Sequence, residues 1–334
     1  MSEGERLFRE ARELIEIESI TGNEARVSDA AERLLRGSGL AVRSQPVPPG
    51  RRNLIAGPDG ARVLLCTHLD TVPPFLPCRE DAECLYGRGS CDAKGIAAAM
   101  IEAARRLLRG GVTDFGILFL VGEETDNAGA RVANRSVRAQ RVIVGEPTKN
   151  LLSRGHKGAI SARLHATGIA CHSAYPERGE SAIHRLLDAI GRIRAADFGR
   201  DPVLGPATVN IGQIQGGVAP NVLAPDAWAD LVLRVVLPLE ETERRLASST
   251  DDPRLRLEVR SRMGPTFTEG LEGTAETVVA YGTDVPFLKD VGRPYLIGPG
   301  DILDAHTDGE KVSKRELLDA AAIYERMVGR LLAK

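Results

Sequence analysis

The N-terminal part of the chain combines two hydrophobic periods. Short, continuously apolar runs at 63–66, 115–121 and 141–144 predict strands that are covered on both faces. Apolar residues recur at helical spacing over 5–17 and 93–108, which predicts helices between and around these strands. Strands that alternate with helices are typical of an α/β fold with a mainly parallel sheet and flanking helices.

The pattern changes after residue 153. Period-2 alternation and helical periodicity then follow in the order strand, helix, strand, strand, helix, strand, which predicts an inserted ferredoxin-like α+β domain. These elements are strands at 159–166, 208–214, 228–236 and 255–259, and helices at 181–195 and 240–248. A later strand, a Gly-Pro loop and a closing helix return to the first pattern. We therefore predict one domain of residues 1–153 and 262–334, interrupted by a second of residues 154–261.

Composition and charge narrow the range of functions. The chain has 334 residues, of which 43% are hydrophobic and 27% are charged, as in globular proteins. Lys and Arg number 44 and Asp and Glu number 46, so the net charge of −2 gives no reason to expect nucleic acid or membrane partners. Five cysteines without a CxxC pair favour a reducing compartment. The first residues show neither a basic nor an apolar segment, so we expect no signal peptide and a cytoplasmic protein.

The strand predicted at 63–66 leads directly into two polar residues, His68 and Asp70. Side chains two apart on a strand point to the same side, so this pair can face one point. A histidine beside a carboxylate is the usual combination of a metal ligand and the group that orients it. The alternative is a polar pair that is merely satisfied at the end of a strand.

Other acidic residues follow the ends of the next strands. Glu123 and Glu124 come after the strand at 115–121, and two adjacent carboxylates there are unfavourable unless cations or protons compensate them. Glu146 follows the strand at 141–144. Open α/β sheets place their sites at this end of the strands. Solvated turns are the alternative interpretation of these positions.

Two further residues lie in loops. Asp92 belongs to a Gly-rich loop, 87–95, that opens a helix, and it could serve only as the N-cap of that helix. The loop lacks the spacing of phosphate-binding motifs, so we expect no phosphate site. His306 lies in a polar loop near the C-terminal end, where a histidine taken alone indicates little.

Taken together, these residues have the composition of a dinuclear metal site. Zinc accepts imidazole nitrogen and carboxylate oxygen as ligands, but two histidines with three carboxylates are too many for one tetrahedral ion. They fit two ions that lie ~3.5–4 Å apart and share one carboxylate. One glutamate then remains as a general base.

Six segments in order make the chain similar to a known family. They are HLDTVP at 68–73, GRGSCDAKG at 87–95, GEE at 122–124, VGEPT at 144–148, HSA at 172–174 and GPGD with AHT at 298–307. The chain resembles the dinuclear zinc aminoacylase/carboxypeptidase family, in the branch of acetylornithine deacetylase and succinyl-diaminopimelate desuccinylase. The resemblance implies a zinc-exopeptidase-like catalytic domain and an inserted domain that acts as lid and dimerisation surface.

The resemblance also implies a role for each residue. It assigns one metal to His68, Asp92 and Glu146, and the other to Asp92, Glu124 and His306, with Asp92 bridging. It makes Asp70 the orienting carboxylate, Glu123 the general base, and His172 a residue that reaches the neighbouring subunit's active site. It further makes Asn221 and Arg234 substrate-binding residues of the lid. Asn221 could instead only form a turn, and Arg234 could be a solvated strand residue.

From this resemblance we expect metal-dependent hydrolysis of the amide bond of an N-acyl amino acid. The substrate implied is N-acetyl-L-ornithine, in arginine biosynthesis, with two divalent ions per chain, zinc or a cobalt substitute, in a homodimer formed through the inserted domain. The alternatives are an acetylcitrulline deacetylase, a hydrolase of carrier-protein-linked lysine or ornithine in lysine biosynthesis, a desuccinylase, and a non-catalytic metal-binding homologue. Glu123 and His172 argue against the last, since neither is needed merely to hold metal.

Overall fold

The structure is a computed structural model that describes residues 1–333. The chain divides into two compact units. The first consists of Met1–Arg154, Thr268–Thr277 and Thr283–Lys334, and the second of Gly155–Phe267 and Val278–Gly282. The division after residue 154 lies next to the predicted one, whereas the second lies at 267/268 rather than 261/262, and the segment 278–282 also belongs to the second unit.

The described residues contain seven α-helices and eighteen strands. The helices are α1 Glu3–Ile15, α2 Ala25–Gly37, α3 Lys94–Arg109, α4 Ala128–Ser136, α5 Ala182–Ala195, α6 Leu239–Ser249 and α7 Lys314–Leu332. The strands are β1 Val42–Val47, β2 Arg51–Ala56, β3 Val63–His68, β4 Arg79–Glu80, β5 Cys84–Tyr86, β6 Phe115–Leu120, β7 Arg141–Val144, β8 Leu152–His156, β9 Gly158–Thr167, β10 Arg200–Asp201, β11 Gly205–Pro206, β12 Thr208–Gly216, β13 Asp226–Val235, β14 Leu255–Met263, β15 Thr266–Phe267, β16 Glu276–Val279, β17 Arg293–Leu296 and β18 Lys311–Ser313.

The main sheet of the first unit is mixed, with a parallel centre. Its order is β1-β2-β6-β3-β7-β17-β8. The four central strands β6, β3, β7 and β17 run parallel, whereas the pairs toward both edges are antiparallel. Every residue of β3 and β6 is buried, as expected for strands covered on both faces. The predicted α/β class with a mainly parallel central sheet is therefore confirmed.

Helices α1, α3 and α7 pack against one another beside this sheet. Helix α3 is buried along most of its length and is rich in alanine, which lets neighbouring helices approach closely. Its residues share one hydrophobic core with Leu7 of α1, Phe115 of β6 and Tyr324 of α7. Between residues 1 and 333, none of the helices has the length and apolar character needed to span a membrane.

The second unit has the predicted ferredoxin-like order. Its antiparallel sheet runs β12-β13-β9-β14, and α5 and α6 connect the strands in the sequence β9-α5-β12-β13-α6-β14. Strand β9 alternates strictly between buried and half-buried positions along its first nine residues. The buried side chains, among them Leu164, Leu231 and Leu186, form a core that is separate from that of the first unit.

Candidate metal centre

Parallel strands bring the predicted ligands to one edge of the main sheet. Strand β3 ends at His68, Glu123 and Glu124 follow β6, and Glu146 lies two residues beyond β7. The loop that carries His306 follows β17. Because these four strands are parallel neighbours, their carboxyl ends lie on the same side, which is where α/β sheets place their sites.

Asp92 lies between the two histidines. Its Oδ1 is 3.0 Å from His68 Nε2, and its Oδ2 is 3.4 Å from His306 Nε2. The N-cap position of α3 is held by Ala93, and no side chain caps the helix, so the N-cap alternative for Asp92 does not apply. One carboxylate with one oxygen toward each imidazole has the arrangement of a ligand that bridges two ions.

The backbone sets the orientation of His68. Its Nδ1 lies 3.0 Å from the carbonyl oxygen of Asp70 and 3.5 Å from the Asp70 carboxylate. A carbonyl can only accept, so Nδ1 donates its proton there, and Nε2 is the nitrogen that faces Asp92. A histidine whose other nitrogen is held in this way is typical of metal ligands.

The Asp70 carboxylate also holds the loop after β6. Its Oδ1 accepts a hydrogen bond of 3.1 Å from Glu123 N, and its Oδ2 accepts one of 3.1 Å from Glu124 N. The loop begins at Gly122, which has a φ of 81° and whose missing Cβ would meet Asp126 Oδ1 at 2.6 Å. Glycine is therefore required at this turn, and Asp70 then fixes the direction of the two glutamates that follow.

The two neighbouring glutamates have different surroundings. Glu124 Oε1 lies 3.0 Å from His306 Nε2. Within residues 1–333, the Glu123 carboxylate has no hydrogen-bond partner, although its pKa responds to the charges of nearby His68 and Glu146. The geometry thus separates the Glu124 carboxylate, which contacts His306, from the Glu123 carboxylate, which does not.

The pKa values of the three glutamates at this site are all raised. Burial raises the pKa of Glu123 and that of Glu146 well above their usual range, and neighbouring carboxylates add to both shifts. Burial likewise raises the pKa of Glu124. Shifts of this kind arise where like charges gather in a buried site.

The imidazoles respond in the opposite direction. Hydrogen bonds with Asp92 and Glu124 raise the pKa of His306 to about 10. Burial disfavours protonation of His68, but its bonds with Asp70 and Asp92 outweigh this effect and raise its pKa. Burial would raise the pKa of Asp92 too, yet the two histidines hold it below its ordinary value. Protons and divalent cations compete for these donor atoms.

The donor set fits a pair of divalent cations. Donor atoms of His68, Asp92 and Glu124 lie within 4.8 Å of one another, and His306 contacts two of these residues. Imidazole nitrogen and carboxylate oxygen are ligands that zinc and similar ions accept. Glu146 is buried, and burial raises its pKa, with a further contribution from the nearby charge of Asp92.

Two further buried carboxylates belong to this region and were missed by the sequence analysis. Burial raises the pKa of Asp284 to about 7, and its Oδ1 accepts from Asn127 Nδ2, at 3.0 Å. Glu310 accepts hydrogen bonds from three backbone N–H groups of the loop that contains Asp92. Neither residue follows a predicted strand or lies in a recognisable motif, so only its position in space identifies it.

The remaining predicted residues lie in the second unit. His172 and Asn221 are exposed and are held in adjoining loops, because Ser173 N donates to Asn221 O at 2.9 Å. Ala174 N donates to His172 Nδ1 at 3.1 Å, which leaves the ring proton of the neutral imidazole on Nε2. Arg234 is half-buried on β13 and, within residues 1–333, has no carboxylate at ion-pair distance.

Comparisons with known proteins show which family the chain belongs to. A sequence profile of the peptidase family M20/M25/M40 matches residues 64–330. A peptidase M20 domain-containing protein of Schizosaccharomyces pombe is 38% identical over 97% of this chain and 84% of its own length. A probable carboxypeptidase of Aspergillus terreus is 37% identical over 95% of this chain and 84% of its own length.

A solved structure shares the fold. It is the Bacillus subtilis YXEP protein, described as a dinuclear metal binding peptidase from the M20 family. The two structures match with a TM-score of 0.72 and 16% identity over 98% of each chain. At this level of identity the likeness concerns the fold alone.

Proposed function

We propose, from the premise that this chain belongs to the peptidase family M20/M25/M40, that it hydrolyses the amide bond between an acyl group or short peptide and a C-terminal amino acid. Membership makes the chain a metal-dependent hydrolase of amide or peptide bonds, in a family of dinuclear metal-binding peptidases. The observation that carries the proposal is the convergence of both histidines on the Asp92 carboxylate, beside the unbonded carboxylate of Glu123.

In this proposed reaction the carbonyl and the water are activated by metal ions, and Glu123 transfers the proton. His68, Asp92, Glu124, Glu146 and His306 would hold two divalent ions, whose Lewis acidity would polarise the scissile carbonyl and make water a better nucleophile. Glu123 accepts a proton from the attacking water and passes it to the leaving amine. Its raised pKa suits a group that must hold and release a proton near neutral pH.

Side chains of the second unit supply substrate contacts in this proposal. His172 carries its ring proton on Nε2, so it can donate to the oxygen that becomes negative in the transition state. Among residues 1–333, Arg234 has no carboxylate at ion-pair distance, in contrast to Arg163, which pairs with Asp230 at 2.6 Å. An unpaired guanidinium suits the α-carboxylate of a substrate, which it can bind through two hydrogen bonds.

The edge strand of the second unit supports a homodimer through this unit. Strand β12 forms one edge of the sheet, and none of its nine residues is charged. Exposed edges of this length are usually protected by charged residues or proline, because they can pair with another chain. We propose that a second copy pairs with β12, with zinc or cobalt in each metal centre.

Two lines of evidence favour different substrates. The sequences of the motifs at 144–148 and 298–307 resemble those of acetylornithine deacetylases, which favours N-acetyl-L-ornithine. The name of the Aspergillus terreus relative, a probable carboxypeptidase, favours a C-terminal residue of a short peptide instead. Both substrates present the same chemistry, an amide nitrogen on a carbon that also bears a free carboxylate.

A substrate panel tests the proposal. The protein, stripped of metal by a chelator and then reconstituted with zinc or cobalt, is assayed for amino acid release from N-acetyl-L-ornithine, N-acetyl-citrulline, N-succinyl-diaminopimelate and short peptides. We expect release that chelation abolishes and metal restores, with about two ions bound per chain. Full activity in rigorously metal-free protein, or no release from any member of the panel, would contradict the proposal.

A further inference from the structure

Glu310 lies four residues after His306 and is almost completely buried, with 1% of its surface exposed. Its Oε1 accepts hydrogen bonds from three backbone N–H groups: Gly89 at 2.9 Å, Cys91 at 3.1 Å and Asp92 at 3.2 Å. One oxygen atom of the His306 loop therefore organises the backbone of the loop that ends at Asp92.

The other oxygen of Glu310 meets an arginine of that same loop. Arg88 Nη1 donates to Glu310 Oε2 at 2.6 Å, and Arg88 is also 1% exposed. Arg88 donates further to the backbone oxygens of Thr307, at 3.3 Å, and Pro74, at 3.2 Å. Arg88 and Glu310 thus join the Asp92 loop to the His306 loop.

We infer that Glu310 and Arg88 are positioning residues that hold Asp92 and His306 at the separation a shared metal pair requires. This inference rests on the proposed metal centre and adds to it two residues that touch no reacting atom. The partners that orient metal ligands are typically worth 10–100-fold in metal affinity.

A carboxylate is needed at position 310 for a physical reason. Three N–H donors converge on one oxygen, which is favourable only if that oxygen carries negative charge. A glutamine has one acceptor oxygen and one NH₂ donor, so its NH₂ faces either the three N–H groups or the Arg88 guanidinium. Arg88 then becomes a buried charge without its partner, which drives the two loops apart.

The experiment compares Glu310→Gln with the matched variant Glu102→Gln. Glu102 is also a buried ion-paired carboxylate, with Arg6 Nη2 at 2.8 Å and Arg105 Nη1 at 3.2 Å, but its partners lie on α1 and α3. Metal-free protein is titrated with zinc against a competing chelator, and the unfolding of the metal-free forms is measured in parallel.

We expect Glu310→Gln to bind at least one ion about 10–100-fold more weakly, while Glu102→Gln binds both ions with wild-type affinity. The absorption spectrum of bound cobalt should also change in Glu310→Gln alone, because it reports ligand geometry. If Glu310→Gln loses stability but keeps wild-type affinity and the wild-type cobalt spectrum, Glu310 is merely structural and the inference is wrong. Wild-type protein that binds no metal would instead reject the proposed function.

Arg88→Lys provides a second test that preserves the charge, should Glu310→Gln not fold. A lysine can pair with Glu310, but it cannot also donate to both Thr307 and Pro74. We expect metal affinity to fall in the same direction by a smaller factor. Unchanged affinity in a folded Arg88→Lys variant would overturn the role of Arg88 in joining the loops.

Discussion

Glu123 and Glu124 are neighbours in sequence, yet their carboxylates meet different groups. Glu124 contacts the imidazole of His306, whereas Glu123 has no hydrogen-bond partner for its carboxylate among the described residues. The Asp70 carboxylate holds both backbone N–H groups, so the difference arises from the direction of each side chain. In our proposal this separation lets Glu124 bind metal and Glu123 move a proton.

The first prediction follows from this difference. Glu123→Gln keeps the shape of the side chain but removes its ability to accept a proton, so kcat should fall by ~10²–10⁴ with metal content unchanged. Glu124→Gln should instead weaken metal binding. Kinetics and metal analysis of both variants check this assignment, and it is reversed if Glu123→Gln is the variant that loses metal.

A second residue-scale feature is the buried imidazole of His156. Its Nδ1 lies 3.1 Å from Lys157 O and donates to it, while its Nε2 is buried and, within residues 1–333, has no partner. Burial lowers the pKa of His156 below its ordinary value of 6.5, and the charge of Arg234 acts in the same direction. The folded protein therefore resists the proton that the unfolded chain accepts.

This shift predicts a pH dependence of stability. Below pH 6.5 the unfolded chain binds a proton at His156 that the folded protein does not, so the free energy of unfolding falls as the pH falls. The stabilisation is complete above pH 6.5 and is lost toward the lower, folded-state pKa. Urea unfolding from pH about 7.5 to about 5 should show a shallower dependence in His156→Gln. Identical slopes in the two proteins would exclude this contribution.

At the scale of elements, the end of β3 is tied to the turn after β6. Asp70 follows β3 directly and accepts from the backbone of both glutamates, and Thr21 Oγ1 donates to it at 2.8 Å. Burial would raise the pKa of Asp70, but bonds from His68 and the other donors keep it low, so it stays a charged acceptor. The two strand ends thus form one rigid support for the metal centre.

The third prediction concerns this connection. Asp70→Asn replaces one acceptor oxygen with an NH₂ group, so one of the two backbone bonds is lost and the turn after β6 loosens. Metal affinity or kcat should fall about 10–100-fold. Thr21→Val is the matched control, because it removes one hydrogen bond to Asp70 and keeps the carboxylate. Equal, small effects in the two variants would show that Asp70 does not orient the site.

At the scale of the whole molecule, we propose that the active site is shared between two subunits. The proposed metal ligands and Glu123 belong to the first unit, whereas His172, Asn221 and Arg234 belong to the second. The uncharged edge of β12 favours a dimer, and in our proposal each His172 completes the site of the other subunit. A site shared between subunits can be tested, because a substitution of His172 and a substitution of Glu123 can be placed on different chains of one dimer.

The fourth prediction is complementation between inactive variants. His172→Ala and Glu123→Gln homodimers should each be nearly inactive. Random reassociation of an equal mixture makes about half of the dimers mixed, with one of their two sites intact, so about a quarter of wild-type activity should return. Subunit exchange is verified with differently tagged chains. If mixed dimers form and no activity returns, His172 does not act in the neighbouring subunit.

Local features of the sequence determined the main strands, the order of elements in the second unit and the types of candidate ligand. Hydrophobic periodicity predicted β3, β6 and β7 within two residues, because a strand buried on both faces must be apolar throughout. The βαββαβ order of the second unit follows from the same kind of pattern. The residue types of the predicted ligands also indicated a site for divalent metal ions, since imidazole and carboxylate groups are ligands that zinc accepts.

Tertiary structure alone decided how these residues act together. Arg88 and Glu310 are 222 residues apart, and no local pattern links them. The same is true of Asp284, and of the choice between Glu123 and Glu124 as the partner of His306. Periodicity reports which face of an element is buried, whereas the contact between two loops depends on the paths of all the strands that carry them. For this reason the sequence predicts which residues can bind metal, and the fold decides which groups hold them in place.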